Sequence, residues 1–292
     1  MVATARPRRS VLYMPGSNAR ALEKAKTLPA DALIFDLEDA VAPDAKAEAR
    51  ARVCAAAREG GYGLREIVIR ANGLATPWGY ADLSAIAISG AAAVLLPKVE
   101  SAQQVRDAVA VIEAAGAPET MAVWCMMETP RGALKAAEIA ESHPRLAALV
   151  MGTSDLAKDL HAAHTPERLP FLTALGLCLL AARANGLAIL DGVHLDLADD
   201  AGFEAACRQG LELGFDGKTL IHPKTIDTAN RVFAPSEAEI DWSRRIIAAH
   251  EAAAAEGKGV VLVDGKLIEN LHVAAARRLV AMAAAIAEMA AG

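Results

Sequence analysis

EIVIRANG (66–73) shows the pattern that decides the fold: an apolar, β-branched run that ends in the polar residues Arg70 and Asn72. Residues of this kind favour β-strands. A run that is apolar throughout its centre is typical of a parallel strand covered on both faces. The pattern recurs along the chain. The predicted strands are 10–16, 32–39, 66–73, 92–100, 121–129, 146–155, 187–194 and 216–223.

Alanine-rich segments with helical periodicity separate these strands. The predicted helices are 18–28, 44–59, 80–90, 101–115, 130–143, 170–186, 199–213 and 224–233. Eight strand–helix units match the count and length of a TIM (β/α)8 barrel. A doubly wound open sheet is the alternative, but it requires a glycine-rich phosphate turn after its first strand, which VLYMPGSNAR (11–20) lacks. We therefore predict an α/β fold with a TIM barrel in residues 1–233 that contains the active site.

Residues 234–292 are predicted to form a C-terminal helix–hairpin–helix appendage. Pro235 and Ser236 open a helix that runs to about Ala255. GKGVVLVDGKLI (257–268) reads as a β-hairpin, because Asp-Gly is a favourable tight-turn dipeptide. The last helix, 271–290, is amphipathic, which lets it pack on the same barrel or on a neighbouring subunit.

Composition narrows the possible functions. The net charge of −6 argues against non-specific nucleic-acid binding, which needs a basic surface. Four widely spaced cysteines without a CxxC pair predict reduced thiols. The chain start has no apolar run of signal-peptide length, and no stretch reaches the length of a membrane helix. We expect a soluble, cytoplasmic protein without a membrane or nucleic-acid partner.

Two carboxylates, Glu128 and Asp155, end consecutive predicted strands. The chemistry of TIM barrels lies at the carboxyl ends of the strands, so the two should be neighbours at the barrel mouth. Carboxylates without histidine or cysteine partners suit Mg²⁺, with Mn²⁺ as a second possible ion. The alternative is that both are solvated residues at the beginnings of loops.

Arg70 emerges from an apolar strand, where a guanidinium is costly unless it is paired. It can bind a substrate carboxylate through two parallel hydrogen bonds. The alternative is an internal salt bridge with Glu38 or Asp39. Asp36 and Glu38 share strand parity and therefore point to one side, where they would hold Arg70 or metal-bound water. Other polar residues at strand ends can be functional or structural; they include Lys98, Asp191, His194, Lys218 and His222.

Several motifs together resemble one family. They are RRSVLYMPGSNARALEKA (8–25), IFDLEDAVAPDAKAEAR (34–50), IRANGLATPWGYADL (69–83), LPKVESA (96–102), METPRGALKAAEIA (127–140), MGTSDLAKDL (151–160) and GFDGKTLIHPKTI (214–226). They are similar to the citrate lyase β-subunit-like branch of the HpcH/HpaI aldolase superfamily, which includes malyl-CoA and citramalyl-CoA lyases and (3S)-malyl-CoA thioesterases. The C-terminal motif VLVDGKLIENLHVAAARR (261–278), in the part of the chain called the tail below, and the segment ALGLCLLAARANGL (174–187) most resemble the thioesterases.

The resemblance implies roles for particular residues. It implies that Glu128 and Asp155 hold Mg²⁺, and that Arg70 and the backbone beside Ser154 and Asp155 bind the malyl group or glyoxylate. Asp39 joins Arg70 among the catalytic candidates. The implied CoA contacts are Tyr13, Lys24, Ile221 and His222. The sequence departs from several lyases at Asn18, where they carry a basic residue.

The resemblance also implies a trimer or hexamer in which the tail of one subunit covers the next subunit's site. Lyases of this family carry an acid–base aspartate in the tail, and Glu269 stands at that position here. We therefore predict that Glu269 is catalytic and that the reaction is Mg²⁺-dependent hydrolysis of (3S)-malyl-CoA to malate and CoA. The alternatives are lyase cleavage to acetyl-CoA plus glyoxylate or pyruvate, a CoA-independent pyruvate aldolase, and a partner-dependent citrate lyase β-like subunit. Glu269 has a structural alternative as a surface residue at a helix start.

Overall fold

Eight parallel strands close into a barrel in which each strand pairs with its neighbours in chain order. The structure is a computed structural model that describes residues 5–255, 257 and 259–291. The strands are β1 (Ser10–Pro15), β2 (Ala32–Asp36), β3 (Glu66–Arg70), β4 (Ala93–Leu96), β5 (Ala122–Met127), β6 (Leu146–Met151), β7 (Ala188–Asp191) and β8 (Gly217–Leu220). The predicted α/β TIM barrel is confirmed.

Helices follow the strands. They are α1 (Ala19–Ala25), α2 (Lys46–Glu59), α3 (Gly79–Ala87), α4 (Ala102–Ala114), α5 (Pro130–Leu134), α6 (Ala136–Ala140), α7 (Thr153–Leu160), α8 (Leu172–Ala184), α9 (Asp200–Leu213) and α10 (Ile226–Val232). Short 3₁₀ turns precede α2, α8 and α10. Most boundaries agree with the prediction within a few residues.

Two predicted elements differ from the structure. The sequence pattern predicts one strand over 146–155, but β6 ends at Met151 and α7 begins at Thr153. Ser154 and Asp155 therefore lie in the first turn of a helix and not at a strand end. The predicted helix 130–143 is divided into α5 and α6 at Lys135.

Apolar side chains fill both sides of the strand layer. One buried cluster lies inside the barrel and includes Ile34, Val68 and Trp124. The larger cluster lies between strands and helices. Side chains alternate between the two clusters along β1 to β7, so the near-continuous apolar runs of the sequence reflect burial on both faces. The four cysteines are buried and free.

Asp191 and Lys218 lie side by side on β7 and β8, and both are almost fully buried. Lys218 Nζ donates to Asp191 Oδ2 at 2.8 Å, and Arg168 Nη1 contacts both carboxylate oxygens at 2.7 Å. Because Thr219, the next residue, lines the barrel mouth, Lys218 points to the helix side. These residues therefore form a buried ion cluster and do not line the cavity.

The described part of the chain forms two compact units, Arg8–Phe233 and a C-terminal unit from Ala234 that groups with residues 5–7. The C-terminal unit contains α11 (Glu237–Ala255), the hairpin strands β9 (Val261–Val263) and β10 (Lys266–Ile268), and α12 (Asn270–Ala291). Its small core includes Ile246, Val263 and Ile268. In the part of the chain that the structure describes, no helix combines the length and apolar character that a membrane span requires.

Candidate active site

A cavity of about 430 Å³ opens at the carboxyl ends of the strands. This volume is in the range of small-molecule sites, and its position is where TIM barrels hold their chemistry. Most of the predicted site residues line it. They are Tyr13, Asp39, Arg70, Glu128, Ser154, Asp155 and Ile221.

Arg70 is held by a pair of hydrogen bonds to Asp36. Its Nε and Nη2 donate to Asp36 Oδ1 and Oδ2, both at 2.7 Å. The contact follows from the register, since Asp36 and Arg70 are paired across the ends of β2 and β3. The backbone N–H groups of Glu38 and Ala40 also donate to Asp36. Burial alone would favour a neutral Asp36, but Arg70 and these N–H groups hold the pKa of its carboxyl below the usual value.

Glu38 lies between two cations. Its Oε2 is 2.8 Å from Arg70 Nη1, and its Oε1 accepts a hydrogen bond from Lys98 Nζ at 2.7 Å. Asp39 is more distant, at 3.7 Å from Arg70 Nη1, and its side chain is exposed. The internal ion pair that the sequence left open is therefore present, and it involves Asp36 and Glu38 more closely than Asp39.

Glu128 is buried, 2% exposed, at the residue that follows β5. Its Oε1 accepts the backbone N–H of Lys98 at 2.8 Å. Burial and the nearby charge of Glu38 raise the pKa of Glu128 to about 7. Among the described residues, neither Glu128 nor Asp155 forms a salt bridge. Glu128 is therefore a buried carboxylate whose negative charge has no direct cationic partner in this part of the chain.

Gly152 brings α7 close to Glu128. Met127 and Met151 are paired at the ends of β5 and β6, so the next residues, Glu128 and Gly152, lie side by side. A Cβ on Gly152 would lie 2.4 Å from Glu128 Cβ and 2.5 Å from Glu128 Oε2. α7 begins immediately afterwards, and no side chain caps its N-terminus. The N–H groups of its first turn can therefore bind an anion in the cavity.

We expect Gly152→Ala to weaken metal binding and turnover by about a hundredfold, because the added methyl group must displace Glu128. Alanine fits the φ of −107° at this position, so the fold should be retained. Gly176→Ala on α8 is the control, since its Cβ would meet no atom within 4 Å. Mn²⁺ titration and initial rates measure both effects. Wild-type values in Gly152→Ala would contradict the predicted position of Glu128 beside a metal ion.

The charges around the cavity favour a bound cation. Five carboxylates surround the two cations Arg70 and Lys98; they are Asp36, Glu38, Asp39, Glu128 and Asp155. An anionic substrate would be repelled by this excess of negative charge unless a positive ion offset it. Two oxygen ligands without histidine or cysteine suit Mg²⁺, which completes its shell with water and substrate. The residues present therefore fit the predicted metal.

Tyr13 lines the cavity beneath Arg70, whose guanidinium carbon is 5.0 Å from the ring centroid. Its hydroxyl contacts Met126 Sδ at 3.3 Å, and thioether sulfur is a weak acceptor. Burial raises the pKa of this phenol well above its usual value, so Tyr13 remains a neutral hydrogen-bond donor.

Three predicted site residues do not line the cavity. Lys24 is exposed on α1. His222 is exposed, and its Nδ1 accepts the Lys224 N–H to cap the 3₁₀ turn that precedes α10. Glu269 belongs to the C-terminal unit, where it is exposed and its N–H donates to His272 Nδ1 at 3.0 Å. Their roles in CoA binding and catalysis remain predictions.

Sequence comparison assigns the chain to a family. The model for HpcH/HpaI aldolase/citrate lyase matches residues 9–223. The chain belongs to this family. It is 53% identical over 287 residues to a (3S)-malyl-CoA thioesterase of Cereibacter sphaeroides, and the match covers 98% of each chain. It is 38% identical to citrate lyase subunit beta of Escherichia coli, covering 95% of this chain and 94% of that one.

A solved structure is also similar to this chain. It is the protein CitE from Mycobacterium tuberculosis in complex with magnesium, acetoacetate and coenzyme A. It superposes with a TM-score of 0.72 at 30% identity and covers 96% of this chain and 98% of that one. The predicted family resemblance is thereby confirmed.

Sequence reasoning missed several features of the site. Gly152 is one of them, and the signal for its close approach to Glu128 is a glycine directly before a polar helix start. Thr219 and Leu195 also line the cavity. The parity of β8 could have identified Thr219, because it shows that Thr219 and Lys218 face opposite sides.

Proposed function

We propose that this protein hydrolyses (3S)-malyl-CoA to malate and CoA, with Mg²⁺ or, alternatively, Mn²⁺ bound by Glu128 and Asp155. The observation that carries the proposal is one cavity that contains both carboxylates, Arg70 and an uncapped helix N-terminus. The 53% identity to a (3S)-malyl-CoA thioesterase supports the reaction. The magnesium and coenzyme A bound to the similar CitE structure support the ion and the CoA ester.

Arg70 would bind the carboxylate of the malyl group. A guanidinium has five N–H donors. Nε and Nη2 each donate one N–H to Asp36, and Nη1 lies beside Glu38. Nη1 and Nη2 therefore each have a further N–H available for a ligand. These two parallel donors match the two oxygens of a carboxylate. Asp36 and Glu38 would keep the guanidinium in this orientation while the substrate binds.

In the proposed hydrolysis, a carboxylate base would remove a proton from water as the water oxygen attacks the thioester carbonyl. The C–S bond then breaks, and the CoA thiolate takes up a proton. Bound Mg²⁺ would offset the charge of the substrate carboxylate and would polarise the neighbouring 3-hydroxyl. Asp39, exposed at the cavity, and Glu269 in the C-terminal unit are the proposed bases. The N–H groups at the start of α7 would support the malyl fragment beside Ser154 and Asp155.

A lyase reaction is the second candidate, favoured by the 38% identity to citrate lyase subunit beta. It uses the same groups but removes the 3-hydroxyl proton and breaks the C2–C3 bond, which leaves an acetyl-CoA enolate and glyoxylate. A partner-dependent subunit would catalyse neither reaction alone. Free thiol or acetyl-CoA formed from (3S)-malyl-CoA by the purified chain, without any other protein, supports an autonomous enzyme, and formation of neither product would contradict it.

We propose that residues 234–292 cover the active site of a neighbouring subunit in a trimer or hexamer. The hairpin and the start of α12 expose apolar side chains, since Leu262, Leu267 and Leu271 are 68%, 52% and 63% exposed. Leu262 and Leu267 are cross-strand partners, so they form one apolar surface. A surface of this kind supports contact with another chain.

The four buried, free cysteines support a reducing cytoplasmic location.

Glu269 is expected to set the reaction outcome. Glutamate is one methylene longer than the lyase aspartate, which shifts the carboxylate by about 1.5 Å, and a shift of about 1 Å can lower proton transfer about a hundredfold. We expect Glu269→Gln to lose CoA release and Glu269→Asp to gain glyoxylate release. Glu288→Gln, at an exposed acid on α12, the helix that begins directly after Glu269, is the control. If both Glu269 variants keep the wild-type rate and product ratio, Glu269 is only a residue at the helix start.

A further inference from the structure

Lys98 has an unfavourable backbone conformation beside the active site. Its φ is 48°, in the left-handed region that residues with a Cβ rarely adopt. The region favours glycine, so a lysine here requires interactions that stabilise the turn. Lys98 lies two residues after β4, at the carboxyl end of the barrel. Neither the family comparison nor the proposed reaction gives this residue a role.

The turn at Lys98 directs two successive backbone N–H groups toward the neighbouring strand. The Lys98 N–H donates to Glu128 Oε1 at 2.8 Å, and the Val99 N–H donates to Met126 O at 3.4 Å. Left-handed residues next to other turn residues commonly bring consecutive N–H groups to one side. The backbone of Lys98 therefore holds one oxygen of Glu128 in place and leaves the other for the cavity.

The side chain of Lys98 contacts the second half of the site. Lys98 Nζ donates to Glu38 Oε1 at 2.7 Å, and Glu38 Oε2 lies 2.8 Å from Arg70 Nη1. Glu38 is buried, so its charge is costly without both cations. If the ammonium were absent, Glu38 would interact with Arg70 alone and compete more strongly with a substrate carboxylate for the guanidinium.

We infer that Lys98 is a positioning residue that connects the two halves of the site: its backbone orients Glu128 and its ammonium orients Arg70 through Glu38. The inference rests on the roles proposed above for Glu128 and Arg70. A glycine at this position would adopt the turn without strain but would leave Glu38 with one cation. The contact between Lys98 and Glu38 therefore serves two purposes, since it also offsets the strain of the turn.

Three substitutions separate the backbone from the side chain. Lys98→Gly retains the turn and loses the ammonium. Lys98→Met loses the ammonium and keeps the strain, so the backbone should relax away from Glu128. Lys98→Arg keeps a cation that can reach Glu38. Two quantities are measured for each variant: the Mn²⁺ dissociation constant, from electron paramagnetic resonance without substrate, and KM and kcat with (3S)-malyl-CoA.

In Lys98→Gly, we expect KM to rise about tenfold while the Mn²⁺ dissociation constant stays within about twofold of wild type. In Lys98→Met, we expect both constants to rise about tenfold. Lys98→Arg should restore both to within a few fold of wild type. A general loss of stability would not raise KM in Lys98→Gly while leaving the Mn²⁺ dissociation constant unchanged. Thermal unfolding of each variant records any such loss.

Lys26→Met is the matched control, because Lys26 also bridges two carboxylates, those of Glu23 and Glu59, and does not line the cavity. It should leave both constants unchanged. The inference is overturned if Lys98→Met keeps wild-type metal affinity and KM, or if Lys98→Gly weakens Mn²⁺ binding as much as Lys98→Met does. A wild-type protein that binds no Mn²⁺ would instead overturn the proposed function.

Discussion

Replacing Glu128 with glutamine is expected to abolish turnover, with a loss of at least about a thousandfold, while the fold is retained. The amide can still accept the Lys98 N–H at Oε1, but it provides no negative charge for a divalent ion. A metal ion contributes several kcal/mol of charge stabilisation, and every 1.4 kcal/mol or so corresponds to a factor of ten in rate. Asp155→Asn should have a similar effect, because Asp155 lines the same cavity.

The measurements for Glu128→Gln are the Mn²⁺ dissociation constant, the initial rate and the unfolding temperature. The metal-free variant should be at least as stable as the metal-free wild type, because the substitution removes a buried charge without a cationic partner. Near-normal turnover of Glu128→Gln or Asp155→Asn, with metal still required, would refute the metal assignment.

The Mg²⁺ affinity of the wild-type protein should decrease below about pH 7. Burial raises the pKa of Glu128 to about 7, so the proton competes with the ion below this pH.

Arg70→Lys is expected to lower kcat/KM roughly 30- to 1000-fold. This factor corresponds to a loss of about 2–4 kcal/mol in the free energy of transition-state binding. Lysine keeps the charge but loses the planar group that contacts Asp36, Glu38 and the substrate carboxylate together. We expect a higher KM and a lower kcat. The unfolding temperature should also fall, because Asp36 loses both of its side-chain hydrogen bonds from Arg70.

Arg50→Lys is the matched control for this experiment. Arg50 Nη1 pairs with the buried carboxylate of Asp82 at 3.0 Å, and neither residue lines the cavity. The control variant should keep wild-type kinetic constants even if it is less stable. If Arg70→Lys behaves in the same way, Arg70 is a structural partner of Asp36 and does not bind substrate.

The barrel could be predicted from the sequence because burial on both faces gives each strand a recognisable apolar run. The pairing of Arg70 with the β2 acids was also open to prediction, since strand parity places Asp36 and Glu38 on one side. α7 was missed because GTSD follows an apolar strand without a break in the pattern. The same error placed Ser154 and Asp155 at a strand end.

Features that depend on the register between strands could not be predicted from one segment alone. The contact of Gly152 with Glu128 exists because Met127 and Met151 are paired across β5 and β6. The left-handed turn at Lys98 depends on an acceptor, Glu128 Oε1, that lies directly after a different strand, β5. Asp191 and Lys218 resembled site residues by their position, but their side chains face the helices. Sequence position alone did not separate them from residues such as Glu128.

Product analysis with purified protein, (3S)-malyl-CoA and Mg²⁺ tests the proposed function most directly. Malate, glyoxylate, acetyl-CoA and free CoA are quantified separately, with and without a chelator. We expect malate and free CoA in equal amounts, with no acetyl-CoA, and no turnover after chelation. Acetyl-CoA and glyoxylate in equal amounts would contradict hydrolysis and identify a lyase, and hydrolysis that continues in the presence of the chelator would contradict the metal-dependent site at Glu128 and Asp155.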